Sequence, residues 1–252
     1  MAGVIGEKEK GRFRPGERRE PDGHAAMRRT ARVTGLWYLA LGVTGMLGFL
    51  VIRSQIHVAG DPSATLANLV DHEALARLGL VLELSIVVAQ ALAAVWFFKL
   101  FQKLNHTAAW AIAAFGMANA IAILVSGAAI ATAFTVAWDP GLAPGGDAAA
   151  TVQLLYELSA NLWSVGALSF GLWLIPMGYV VTTTRLMPAW LGRILIIGGV
   201  GYVLSALMRF GIADAPTWLV DGLTYPATIG EFWMIGYLLV RGIRPPAELA
   251  AI

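Results

Sequence analysis

The chain has 252 residues, of which 58% are hydrophobic and 13% charged, with a net charge of +2 and no cysteine. A soluble domain carries about twice that share of charge, so the composition excludes an ordinary water-soluble globule. The absent cysteine excludes disulfides, thiolate metal sites, iron–sulfur clusters and CxxC redox chemistry.

Residues 1–33 are polar and rich in basic residues, among them Lys8, Lys10, Arg12, Arg14, Arg28, Arg29 and Arg32, mixed with Glu7, Glu9, Glu17 and Glu20. No apolar core precedes Thr34, so this is not a secretory signal; it reads as a disordered cytoplasmic tail. Six apolar stretches come next, over residues 34–53, 75–103, 107–137, 159–183, 189–211 and 219–241. Each has roughly the ~20 residues that a helix needs to cross a hydrocarbon core ~30 Å thick. The expected fold is all-α: a polytopic membrane protein with six transmembrane helices arranged as three hairpins. The membrane domain spans residues 34–242, and a short tail covers 243–252.

Basic charge alternates from one connection to the next. Of the 18 Lys and Arg residues, the outer side holds only Arg53, Arg77 and Arg209 if the N-terminus is cytoplasmic. The segment from Asp139 to Asn161 has no Lys or Arg. This pattern follows the positive-inside rule and places both termini in the cytoplasm.

The first two outer connections share a text. Gly60-Asp61-Pro62-Ser63-Ala64-Thr65 resembles Gly146-Asp147-Ala148-Ala149-Ala150-Thr151, and Asp214-Ala215-Pro216 is a shorter version. Asp61 and Asp147 suit helix N-caps, and Pro62 suits a first helical position. Each outer loop is therefore expected to contain a short helix, lying near the interface or extending the next span. The repetition is either an old duplication or two independent capping sequences. Gly42, Gly45 and Gly48, the stripe Ala114–Ala118–Ala122–Ser126, and Gly198, Gly199 and Gly201 predict close helix packing. Pro176 and Pro226 predict bends in the fourth and sixth spans.

Polar residues inside the spans are costly and mark the candidate site. Helical spacing groups Glu83 with Gln90, Thr224 with Thr228 and Glu231, Glu157 with Asn161 and Ser164, and Gly198 with Tyr202, Ser205 and Arg209; Asn119 and Ser126 form a weaker set. If these faces converge they line a polar cavity opening outward, with Arg53, Arg77 and Arg209 at its mouth. The candidate ligand-binding residues are Arg53, Arg77, Glu83, Gln90, Asn161, Tyr202, Arg209, Thr228 and Glu231. Glu231, near the midplane, is expected to face the bundle interior, and Arg77 to lie near Glu73, Glu83 or Glu231. The charges either neutralise one another and hold the helices in register, or bind an anionic head group at the arginines or a cation or proton at the carboxylates.

Other chemistry is discounted. No histidine lies mid-span for haem ligation, and Lys99 and Lys103 sit at a helix end. Asp71-His72-Glu73, with His57 and Asp61, lacks HExxH spacing and reads as a helix-capping loop. Gly166-Ala167-Leu168-Ser169-Phe170-Gly171 has no preceding strand and misses the nucleophile-elbow spacing. No catalytic residue, metal or cofactor is expected.

Several phrases together resemble one bacterial membrane family, domain-of-unknown-function family 4386. They are Arg32 with Gly35 and Tyr38; Gly60-Asp61 with Thr65; Arg77-Leu78-Gly79 with Glu83; Pro188 with Leu191-Gly192, Gly199, Gly201 and Tyr202; and Gly230-Glu231. The resemblance runs from about Arg32 to Gly242. It implies a multi-pass membrane protein with no established activity, and Arg77, Glu83 and Glu231 as characteristic positions without assigned roles. The leading expectation is a non-enzymatic membrane protein that binds or conducts a small molecule, lipid or ion. The alternatives are an intramembrane enzyme acting on a lipid or quinone through Glu83 or Glu231, and a membrane scaffold without a ligand. The expected partner is the lipid bilayer, and no nucleic acid.

Overall fold

The computed structural model describes residues 20–244. Residues 1–19 of the expected tail and residues 245–252 lie outside that range. Every regular element among the described residues is helical.

Helix α1 (Glu20–Gly45) begins inside the segment expected to be disordered. Residues 25–29, Ala-Ala-Met-Arg-Arg, are strong helix formers, and Ala31, Thr34, Tyr38 and Leu41 bury one face at helical spacing. The helix continues into a π-helical stretch, Met46–Ile52, where the Arg53 N–H donates to Gly48 O five residues back. A π turn takes up an extra residue and so rotates the side chains beyond it about the helix axis. The short α2 (Arg53–Ile56) completes this first span.

Helix α3 (Pro62–Asp71) is the short outer helix, capped by Asp61, whose Oδ1 accepts from Ala64 N at 2.9 Å. Helix α4 (Glu73–Phe101) begins almost at once. Helix α5 (His106–Trp138) is capped by Asn105. Helix α6 (Ala148–Thr184) starts directly at Asp147, whose Oδ1 accepts from Ala150 N at 2.9 Å. The second outer helix is thus merged with the span after it, while the first stands apart. Helix α7 covers Ala189–Gly211.

The last span departs from expectation. The stretch 219–241 is not one bent helix but two pieces, α8 (Thr217–Gly222) and α9 (Tyr225–Val240). Asp214 does not cap α8, which starts after Pro216 without a side-chain cap. Pro226 stands in the first turn of α9, where its missing N–H costs nothing. Pro176, by contrast, sits inside an unbroken α6.

Among the described residues, five helices are long and apolar enough to cross a membrane: Gly23–Ile56, α4, α5, α6 and α7. The 16 residues of α9 reach about 24 Å at ~1.5 Å per residue. The outer surface is apolar: Leu50, Val88, Ile121, Leu154, Ile197 and Leu207 are all exposed. Such a belt suits lipid rather than water, and the protein is an integral membrane protein.

The helices form a closed ring. α1 packs on α4, α4 on α5, α5 on α6, α6 on α7, α7 on α9, and α9 returns to α1. Glycines allow the tightest of these contacts. A Cβ on Gly171 would lie 2.5 Å from Gly199 O, and one on Gly178 would press as hard on Gly192 O, so α6 and α7 meet backbone to backbone. Gly198 and Gly201 face the other way, toward Ala227 and the Leu223 carbonyl at the α8–α9 break.

Both described ends lie at one end of the ring. His24 Nε2 is 3.1 Å from Arg244 O, and Arg244 N donates to Leu186 O, in the α6–α7 turn, at 2.9 Å.

Candidate functional site

The ring encloses a half-open cavity of about 230 Å³. Each of its six helices contributes to the wall. Tyr38 comes from α1, Gln90 from α4, Asn119 from α5, Trp163 and Phe170 from α6, Tyr202 from α7, and Glu231 from α9. The wall is mostly apolar, with Leu41, Ile86, Ile123 and Ile235 between the polar groups. On the α1 side, Gly42 and Gly45 leave the wall bare of side chain beside Tyr38 and Leu41. Five aromatic rings, Tyr38, Trp163, Phe170, Tyr202 and Phe232, surround the space.

Among the described residues, Glu231 is held by one hydrogen bond. Tyr38 Oη donates to its Oε1 at 2.6 Å. Tyr38 is itself fixed by ring packing on Phe97 and Trp173, at centroid distances of 5.4 and 5.8 Å. Among the described residues, no Lys, Arg or His lies within ion-pair distance of Glu231. Gln90 is fully buried; its Oε1 accepts from Asn119 Nδ2 at 3.4 Å, and its Nε2 has no partner among the described residues.

A second polar cluster adjoins the cavity through Trp163. That indole N–H donates to Glu83 Oε1 at 3.2 Å while the ring lines the cavity. Ser126 Oγ also donates to Glu83 Oε1. Ser126 and Ser159 hydroxyls are 2.5 Å apart, and Arg53 donates to Ser159 Oγ and Tyr156 O, each at 2.8 Å. Arg53 and Glu83 are thus joined through two serines rather than by direct contact. The arginine also lies 5.3 Å from the Phe49 ring centroid. The π-helical stretch, one residue longer per turn, ends at this arginine.

Beyond Arg53, at the loop end, His57 Nε2 lies 3.2 Å from both Glu157 Oε1 and Gln153 Nε2. Thr65 Oγ1 donates to Gln153 Oε1 at 2.7 Å, which ties α3 to α6. Burial holds the His57 imidazole below its usual value; the Glu157 carboxylate opposes this, and the Arg53 charge reinforces it.

The ring brings four of the nine candidate residues to the cavity: Gln90, Tyr202, Thr228 and Glu231. Arg53 and Glu83 form the adjoining cluster. The other three lie elsewhere. Arg77 is exposed, paired with Glu73 at 2.6 Å one turn back, and stacked over Phe134 and Trp138. Arg209 pairs with exposed Asp221 at 2.9 Å. Asn161 is exposed. No ring of arginines rims the cavity, because Arg77 and Arg209 find carboxylates close by in the chain and on the outer face of their helices. The expected polar lining is also corrected: the wall is aromatic and aliphatic, with isolated polar groups. The hydrogen-bonding side chains of the two clusters that were not proposed from sequence are Tyr38, Trp163 and Ser159. Tyr38 stood among the family-like positions, but nothing local marked it as the partner of a carboxylate 193 positions away.

Comparison with known proteins bears out the family resemblance. Residues 33–242 match the family described as Domain of unknown function (DUF4386). An "Uncharacterized protein" of Archaeoglobus fulgidus is 33% identical over 58 residues, which is 22% of this chain. The match spans 36% of that relative's length. No solved structure matches the chain.

Proposed function

The chain belongs to this family, whose description carries no activity, and from the site itself we propose that the cavity binds a small organic cation, with Glu231 as its counter-ion. The observation that carries this reading is a carboxylate inside an aromatic cavity with no cation of the described residues beside it. A partly buried carboxylate in apolar surroundings is costly unless it is paired or takes up a proton, and a bound cation supplies the pairing. Ring faces add to the attraction, because their negative quadrupole favours a cation, above all a quaternary ammonium. The volume, about 230 Å³, lies just below the ~300–1,000 Å³ of drug-sized pockets, so the ligand is small.

Two alternatives fare worse. An anionic head group loses its anchors, since Arg77 and Arg209 are paired on the outside. A scaffold without ligand has no use for a cavity built from all six helices around an uncompensated acid. Glu83, held by Ser126 and Trp163 and facing Arg53 through the serines, serves as a structural charge beside the cavity.

We place the protein in a bacterial inner membrane with six crossings. The sixth consists of α8 and α9 as a broken helix, a form used elsewhere at membrane binding sites. The distribution of Lys and Arg supports both termini facing the cytoplasm, in keeping with the meeting of His24 and Arg244 at one end of the ring.

The test is binding of phenethyltrimethylammonium to the detergent-purified protein, read by tryptophan fluorescence or calorimetry. Saturable binding is expected, at least tenfold weaker in Glu231→Gln and absent for the neutral tert-butyl isostere. Equal binding of the neutral isostere, or indifference to Glu231→Gln, overturns the reading.

A further inference from the structure

We propose that Gln90 selects among such cations, favouring those that carry a hydrogen-bond acceptor such as a carbonyl or ether oxygen. This rests on the reading of the cavity as an organic-cation site and specifies its ligand further.

Gln90 is fully buried, yet it lines the cavity. Asn119, one helix over on α5, donates to its Oε1 and thereby turns its Nε2 away from that partner. Nε2 has no hydrogen-bond partner among the described residues. Buried donors in folded proteins are almost always satisfied, and a donor left bare discriminates strongly against ligands that cannot accept from it. Its neighbours on the wall, Ile86 and Ile123, have nothing to offer.

The comparison with Glu83 sharpens the point. Glu83 and Gln90 lie on one face of α4, seven positions apart. Glu83 is satisfied by Ser126 and Trp163. Gln90 takes one bond from Asn119, and its Nε2, buried in the cavity wall, has no partner among the described residues. On this proposal the cavity has two recognition points, on the helices that flank α1: an acid on α9 for the positive charge, and an amide N–H on α4 for an acceptor. Apolar and aromatic surface fills the rest of the wall. A ligand matching both has a cationic group and an uncharged oxygen on one compact apolar body.

The experiment compares two cations that differ by one group. Phenacyltrimethylammonium has a carbonyl where phenethyltrimethylammonium has a methylene. The wild-type protein is expected to bind the carbonyl compound roughly tenfold more tightly, the order that one neutral hydrogen bond to an otherwise unpaired donor supplies. In Gln90→Leu, or Gln90→Met should the leucine variant not accumulate, the two affinities should converge while phenethyltrimethylammonium still binds. Equal affinity of the two cations for the wild-type protein overturns the role of Gln90 and leaves the cation site standing. A preference that survives both substitutions also overturns it. Binding of neither cation, or of the tert-butyl isostere as well as the cations, removes the site reading and this inference with it.

Discussion

Tyr38→Phe deletes one oxygen and with it the hydrogen bond that holds Glu231. The bond is short, 2.6 Å, and joins α1 to α9, the contact that closes the ring. Tyr38 is 1% exposed, so its own hydroxyl is held out of bulk water. A hydrogen bond to a charged group contributes about 1.5–3 kcal/mol. For a chain of this size each kcal/mol shifts the unfolding midpoint by about 2–4 °C, so a fall of roughly 3–12 °C is expected. The assay is thermal unfolding in detergent, monitored by intrinsic fluorescence. A second background isolates the pair. In Glu231→Leu the acceptor is gone, and there Tyr38→Phe should cost less than about 0.5 kcal/mol or even stabilise, by removing an unpaired hydroxyl. The same loss in both backgrounds would show that Tyr38 acts through its packing on Phe97 and Trp173 alone, and would refute the reasoning.

The same geometry gives further expected outcomes. Gly145→Cys, between α5 and α6, should react with an impermeant maleimide in intact spheroplasts, and Arg244→Cys should not; the reverse pattern would invert the orientation. Gly201→Ala drives a Cβ into Leu223 O and should cost more than the ~1–3 kcal/mol of ordinary overpacking, whereas a Cβ on Gly236 meets nothing within 4 Å. Gly236→Ala should be neutral or gain up to about 1 kcal/mol from helix propensity; melting of the two variants side by side decides it. His57 is held neutral, so its contribution is complete above the unfolded value near 6.5 and is lost as pH falls below it, toward the lower folded value. Unfolding midpoints measured from pH 8 to pH 5 should decline through that window, and His57→Gln should flatten the decline.

What the sequence determined by itself was local. The apolar runs marked the spans, because a helix must satisfy its backbone internally to enter lipid and its length must match the hydrocarbon thickness. Asp61 and Asp147 marked helix starts because capping needs only a side chain and a backbone N–H three residues on. The glycines of α7 marked close approach. Helical spacing also put Gln90, Tyr202, Thr228 and Glu231 on defined faces of their helices. It could not say where each face points. A stripe sets an angle about its own axis, while the direction toward a neighbour depends on how six helices rotate and close into a ring. That rotation took Arg77 outward to Glu73 and Arg209 outward to Asp221, and brought Tyr38 of α1 onto Glu231 of α9. It joined Arg53 to Glu83 through two serines from different helices. The break between α8 and α9 was likewise tertiary: Pro226 allowed either a bend or a new start, and the backbone of α7, bare at Gly198 and Gly201, takes Leu223 and Ala227 against itself only where the chain has broken.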